Sequence, residues 1–452
     1  MTNVQNIRIA EDPNESAQKA IRNSQSAIRN SRVLVLSAHS GFIDRRIVAQ
    51  INTLATTGRD VTFVTVPADV PGANLDARIR VAMASGAASQ GLLRRTAKRL
   101  PKPLLAPAKW VYRRFFAAPA IDFTGYFLAQ AATLTPAQPY DVIHCHDLQT
   151  LPAAVELRRQ LAPNAKLIYD SHELFPHQYP PGRVREYWAD LERRHIGQVD
   201  LTITINQSVA EEMQRTYGRA MPAVIYNSYD GPVSAVSVDR FWRHFGVGED
   251  HPARGAFKII YQGNFSKERN LRNLVQAFSH LGNEFALFML GGGEELPHLQ
   301  RIAGQSHLRN RETAQTPGSN TNRQSNVFFG PWVPQGELLG FVSCADMGVI
   351  PYLGDDLLNN RLCTPNKLFE YIEAQVPICA SDLVELRRIV DARGIGGVYP
   401  MSTAREIAAA ISNCAKRCQS GEFRAESLAA AQQAFSWQGQ SQVLLRLYDE
   451  LI

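Results

Sequence analysis

Glycines at Gly291, Gly292 and Gly293 end an apolar run and lead into EELPHLQRIA, a helical pattern. Such glycines let a phosphate approach the backbone, and the amides at a helix start donate to it. A plain strand-to-helix turn reads equally well at this point. YQGNFSKERN sets Lys267 and Arg269 directly after another apolar run. Cations there can stabilise the charge that develops on a departing diphosphate, although a lone KxR pair is more often a solvated loop. In TPNKLFEYIEAQVP, Pro365 heads a helical pattern and Glu370 and Glu373 share a face at i, i+3. A carboxylate near that helix start can hold both hydroxyls of a ribose; surface glutamates are the ordinary alternative. Upstream, DVIHCHDLQTLPAA brings His144, His146 and Asp147 to the end of a run, and YDSHELFP does the same for Asp170, His172 and Glu173. Alternation along a strand sends His144 and His146 to one face. HxHD is also compatible with metal binding, but no further Cys/His cluster has ligand spacing, so no metal is expected.

The elements that must position these residues are short apolar runs separated by helix-length segments. RVLVLSA, VTFVTV, DVIHCH, KLIYDSH, LTITIN and AVIYN form a first series; FKIIYQG, FALFMLGGG, NVFFG, DMGVIPY, PICASD and GGVYP form a second. Continuous apolar runs mark strands buried on both faces of a parallel sheet. The expected class is therefore α/β with two Rossmann-like, doubly wound domains. In LRNLVQAFSHL, Leu271, Leu274, Val275 and Phe278 recur at helical spacing. Asn227 to Gly255 reads as the linker, and polar His307 to Asn326 as a long loop. The expected domains are a polar extension at 1–30, an N-terminal domain at 31–235, a C-terminal domain at 236–430 and a final helix at 431–452.

The 452 residues are 45% hydrophobic and 20% charged, which excludes wholesale disorder. A net charge of +6 is too dilute to mark a nucleic-acid binder. No run of 18 apolar residues occurs, and the first residues show no secretory h-region. Six cysteines lack CxxC spacing, as expected of reduced thiols in a bacterial-type cytosol. The basic stretch 91–116 interleaves Arg94, Arg95, Lys98 and Arg99 with apolar residues. It reads as a patch for an anionic membrane surface, at even odds with an ordinary basic insertion.

The ordered set of segments resembles the retaining GT-B glycosyltransferases of the large group 1 family, the fourth in the sugar-transferase classification. IDRRIVAQINTLATTGRDVTFVTV, HDLQTLPAA, YDSHELF and the VIYN strand resemble its first domain. YQGNFSKERNLRNLVQAF, the GGG loop, ADMGVIPY and PNKLFEYIEAQVPICASDLVELRRIV resemble its donor domain, in the PNKLFEY variant. FSWQGQSQVLLRLYDEL resembles the terminal helix that crosses back to the first domain. The resemblance implies two domains facing a cleft, a UDP- or GDP-sugar donor on the C-terminal domain, and a glycan or lipid-linked acceptor on the N-terminal one. It implies retention of anomeric configuration without metal or other cofactor, in polysaccharide or glycoconjugate synthesis, with the enzyme cytoplasmic or peripheral on the membrane's inner face.

By matching motif positions, Glu370 corresponds to the second glutamate of Glu-x7-Glu, on the ribose. Arg269 falls at the phosphate-binding lysine. Asn264 replaces the arginine that follows Gly263, leaving Lys267 as its substitute. His146 matches the histidine that approaches the donor sugar, with His172 as second candidate, and Gly41 lies in the turn that closes over the donor. Gly292, Asn366, Lys367 and Leu368 complete the expected donor-binding set. The first motif glutamate is replaced by Leu362, so its role passes to Asn366, Lys367 or the amides of Cys363 and Thr364. The rival readings are a non-catalytic nucleotide-sugar-binding partner of a transferase, for which Leu362 speaks, and a UDP-sugar 2-epimerase on the same fold.

Overall fold

The structure is a computed structural model and describes residues 31–38, 44–66, 75–83, 125, 127–129, 139–229, 231, 234–313, 326–354 and 357–452. Gly41, the extension at 1–30 and the basic stretch 91–116 lie outside those residues. The chain divides into two compact units. One comprises Met1–Asp170, Asp190–Thr202 and Leu444–Ile452, the other Ser171–Ala189 and Ile203–Val443.

Strands β1 (Arg32–Ser37), β2 (Asp60–Thr65), β3 (Arg80–Met83), β4 (Val142–His146), β5 (Lys166–Ser171), β6 (Leu201–Thr204) and β7 (Ala223–Val224) follow the order β3-β2-β1-β4-β5-β6-β7. Beta-branched and leucine side chains make β1 and β4 buried throughout apart from Arg32, as a strand covered on both faces requires. The pairs β1–β2, β1–β4 and β4–β5 are parallel, with Val35 opposite His144 and His146 opposite Asp170. Helix α1 (Arg45–Thr56) follows β1. Asp44 caps it by accepting from the Arg46 amide, and its Ile47, Ile51 and Leu54 are buried.

A second sheet, made of β8 (Phe257–Asn264), β9 (Phe285–Gly292), β10 (Val327–Gly330), β11 (Met347–Ile350), β12 (Ile378–Ser381) and β13 (Gly396–Tyr399), has the order β10-β9-β8-β11-β12-β13. Both sheets thus run outward from their first strand and then reverse, between β1 and β4 and between β8 and β11. In open parallel sheets the crevice beyond the carboxyl ends at such a reversal is where ligands bind.

Most runs became strands where expected, with four differences. Arg80–Met83 forms an additional edge strand, short and with Val81 exposed, so alternation gave it little signal. AVIYN is extended at only two residues. The expected linker contains helix α2 (Val238–His244), capped by Ser237, whose Phe241 and Trp242 are buried in the second unit's core. Burial of two large aromatics holds a seven-residue helix that propensity alone would leave marginal. Helix α3 (Leu296–Thr313) runs into the expected loop from His307. The periodicity of LRNLVQAF yields helix α4 (Leu271–Ala277), with Leu271, Leu274, Val275 and the following Phe278 buried; α4 precedes α3 in the chain.

The final helix, α5 (Trp437–Leu451), begins in the second unit, and its residues from Leu444 onward belong to the first. There Leu444 and Tyr448 are fully buried, and Asp449 pairs with the buried Arg59 at 2.5 Å. Among the described residues no helix is long and apolar enough to cross a membrane.

Candidate active site

At the reversal of the second sheet, β8 and β9 end side by side, with Gly263 opposite Gly291 and Asn264 opposite Gly292. Gly291 and Gly293 have φ of +141° and +151°, and a Cβ at either would come within 2.2 Å of Gly263 O or 2.5 Å of Phe265 O. Only glycine permits this approach of the two strand ends. Gly263, φ +132°, leaves its own Cβ position 3.5 Å from Lys367 Nζ.

Lys367 lies in the first turn of helix α6 (Asn366–Glu373), which starts after Pro365. Its side chain is buried. The ammonium sits 4.7 Å from the Tyr261 ring centre and 4.5 Å from that of Tyr352, and donates to the Tyr352 hydroxyl. Arg269, on the tight turn after β8, places its guanidinium 4.4 Å from the same Tyr352 ring. Lys267 on that turn is exposed. Among the described residues no carboxylate forms a salt bridge with Lys267, Arg269 or Lys367. Aromatic faces offset a buried cation only in part, so Lys367 keeps charge to offer an anion. Burial, with Tyr352 second, raises the Tyr261 phenol well above its ordinary value, so it stays neutral beside the cations.

One turn further along α6, the buried Glu370 accepts from Gln262 Nε2. The other amide atom, Gln262 Oε1, is buried without a hydrogen-bond partner. Asn366, at the helix start, accepts from Asn227 Nδ2 at 3.3 Å. The Leu368 side chain is fully buried in the core, and its amide donates to Pro365 O at 2.9 Å. The carbonyl of Leu362 accepts from Asn206 Nδ2 at 2.8 Å, and the same amide reaches Thr364 Oγ at 3.3 Å. Asn206 thereby ties down the loop that leads into α6.

The reversal of the first sheet is filled differently. His144 and His146 project to one face as alternation requires, their rings stacked 4.4 Å apart. Asp170 Oδ2 lies 3.7 Å from His144 Nε2 and 3.4 Å from His146 Nδ1, and accepts from Gln50 Nε2 at 2.8 Å. His144 Nδ1 meets the Tyr448 hydroxyl at 2.8 Å. All are buried. Burial raises the Tyr448 phenol, with Arg59 opposing and Asp170 adding to the shift. Burial opposes the charge of Arg46, but Asp44, with Asp147 and Asp170 behind it, more than offsets this and raises its value. Asp147, φ 64°, turns the chain out of β4, and Thr150 Oγ donates to the carbonyls of His146 and Asp147. The two histidines and Asp170 bring potential ligand atoms within 4.8 Å of one another, a grouping the spacing argument did not find because Asp170 comes from the neighbouring strand. His172, in the second unit, is likewise buried, in a loop held by Asn359, which donates to Glu173 and accepts from the Leu174 amide, each at 3.0 Å.

Two family models match the chain: glycosyltransferase family 4 over residues 43–230 and glycosyl transferases group 1 over residues 256–417. The chain belongs to the group 1 glycosyltransferases of GT-B fold. A D-inositol 3-phosphate glycosyltransferase of Xylanimonas cellulosilytica is 24% identical over 457 residues, covering 92% of this chain and 96% of that protein. Among solved structures, sucrose-phosphate synthase from Thermosynechococcus elongatus matches with a TM-score of 0.64 at 16% identity, covering 93% of this chain and 99% of that one. Anabaena HepE in complex with UDP matches at 0.63 and 15% identity, over 93% and 100%.

In this glycosyltransferase the structure brings Arg269, Lys367, Gly263 and, one strand over, Gly292 to one crevice, with Glu370 on the helix behind. Sequence reasoning missed Tyr261, Gln262 and Tyr352. Each stands at the end of a strand beside the reversal, and that position was the available signal.

Proposed function

We propose that this glycosyltransferase transfers a sugar from a nucleoside-diphosphate sugar, with retention of anomeric configuration, to a glycan or lipid-linked acceptor. The observation that carries the reading is the buried Lys367 at the second reversal, which rests on two tyrosine rings and forms no salt bridge with a carboxylate among the described residues. A diphosphate supplies the missing charge, and the glycines let it approach the backbone. The orphaned Gln262 Oε1 beside Glu370 is an acceptor waiting for a donor, and the hydroxyls of a ribose provide one.

On this reading Arg269, Lys267 and Lys367 stabilise the departing diphosphate, whose oxygen takes the acceptor's proton as the acceptor attacks from the same face. The reaction is then driven by charge stabilisation on the leaving group, and no metal enters. Proteins of the same fold solved with UDP or UDP-glucose favour a UDP-type donor. The proposed setting is polysaccharide or glycoconjugate synthesis in the cytoplasm, with the basic stretch 91–116 facing an anionic membrane.

The test is thermal denaturation with UDP, GDP, dTDP and ADP and their common sugars. A selective rise in melting temperature with one nucleotide, lost in Glu370→Ala, is expected. Product analysis by NMR with that donor should show the anomeric configuration of the donor sugar kept. No shift with any nucleotide would overturn the donor assignment; binding without hydrolysis or transfer would favour the non-catalytic partner.

A further inference from the structure

The donor reading asks Arg269 to meet a diphosphate, yet Arg269 stands on a turn of three residues, Lys267–Arg269. A long cation on so short a turn aims at nothing unless the turn itself is fixed. One end is held by Phe265, which is fully buried and whose amide donates to Gly292 O at 2.8 Å. The other end is Asn270, and its side chain does not act as a helix start would have it.

Asn270 precedes helix α4 with φ 58° and ψ 25°, a left-handed conformation that asparagine tolerates and glycine adopts at no steric cost. An asparagine that caps a helix ordinarily has extended backbone and accepts from an amide of the first turn. Here the side chain makes no such bond. It is buried and turned the other way. Nδ2 donates to Pro351 O at 2.9 Å and to Met401 O at 2.8 Å. Oδ1 accepts from Asn273 Nδ2 at 2.9 Å, and the same Asn273 amide donates to Ser402 O at 3.1 Å. Carbonyls on one side and a donor on the other leave a single orientation for the Asn270 amide.

The two carbonyls lie just beyond β11 and β13. Pro351 O belongs to the peptide bond that leads into Tyr352, whose ring lies 4.4 Å from the Arg269 guanidinium. Asn270 is thus joined by its own peptide bond to Arg269, and by its side chain to the peptide that carries the ring. A glycine would allow the same backbone turn without these bonds, so the turn alone does not call for asparagine. What asparagine adds is a fixed distance between the turn and Tyr352.

We propose that Asn270 is a positioning residue for the leaving-group site: its side chain fixes Arg269 against the Tyr352 ring before the diphosphate arrives. This rests on the donor reading above. A guanidinium held in advance loses little freedom on binding, whereas one on a loose turn must be ordered by the ligand, at a cost in affinity.

The test is a double-mutant cycle, read by calorimetric titration of the full-length protein with inorganic pyrophosphate, UDP and GDP. Asn270→Gly keeps the left-handed backbone accessible and removes the side-chain bonds. It should weaken pyrophosphate and the preferred nucleotide alike, by about fivefold to tenfold, and Arg269→Ala should weaken both at least as much. In the Arg269→Ala background, Asn270→Gly should weaken neither any further. Asn273→Ala removes the donor to Asn270 Oδ1 and should act in the same direction by a smaller factor. It takes the place of Asn270→Gly in the cycle if that variant does not fold. A loss as large in the Arg269→Ala background as in the wild type would overturn the proposal, since the side chain would then hold the fold and not the guanidinium. Unchanged affinity in Asn270→Gly, or in Arg269→Ala, would also overturn it while leaving Lys367 and the donor site standing. A wild type that binds none of the three probes would overturn the donor reading itself, and the proposal with it.

Discussion

The two sheet reversals have the same topology and opposite charge economy. At the first, Asp170 faces two imidazoles and accepts from Gln50, and a tyrosine hydroxyl caps the chain at His144. At the second, Lys367 and Arg269 lean on aromatic rings, and among the described residues neither forms a salt bridge with a carboxylate. The first crevice gives its buried imidazoles a carboxylate, though Gln50 Oε1 and His144 Nε2 still lack hydrogen bonds, whereas the second holds a buried cation with no carboxylate salt bridge. Topology marks where a ligand can bind, and unbalanced buried charge marks which of two such places awaits an anion.

That contrast can be broken from either side. Asp170→Ala removes the group on which the first network converges, and breaking a buried charged network from one side costs about 3–5 kcal/mol. Chemical denaturation should show that loss, with nucleotide affinity little changed. Lys367→Met should do the reverse. It replaces a buried cation without a counter-ion by an apolar side chain of similar length, and should raise the stability of the unliganded protein by about 1 kcal/mol. If Lys367→Met instead unfolds the protein as Asp170→Ala does, the two crevices are alike and the contrast is lost.

Tyr448→Phe is milder. It leaves His144 Nδ1 buried without its partner, at a cost of about 1–2 kcal/mol. Its pH dependence sharpens the point. A tyrosine whose folded value is raised contributes stability that is fully present below its unfolded value, near 10, and is lost as pH climbs through and beyond it. Stability of the wild type should therefore fall above about pH 10, and Tyr448→Phe should shrink that fall. Equal alkaline slopes would remove Tyr448 from the account.

The sequence made strand positions legible because buried parallel strands are continuous apolar runs, and it made the GGG turn, the KxR pair and PNKLFEY legible as neighbours of those runs. It hid elements whose stability comes from distant contacts. Val238–His244 reads as linker until Phe241 and Trp242 are seen in the core, and Arg80–Met83 is too short and too exposed to alternate. Site residues divide in the same way. Glu370 and Arg269 announce themselves by motif, but Tyr261 and Tyr352 become partners of Lys367 only when β8 and β11 pair.

The most direct measurement is calorimetric titration of UDP and GDP into the wild type and Lys367→Met under identical salt. The account predicts that the preferred nucleotide binds the wild type and loses about tenfold to a hundredfold in affinity in the variant, the worth of one charge-assisted hydrogen bond. Equal affinity in both proteins would contradict it, because the buried unpaired cation would then not be waiting for a diphosphate.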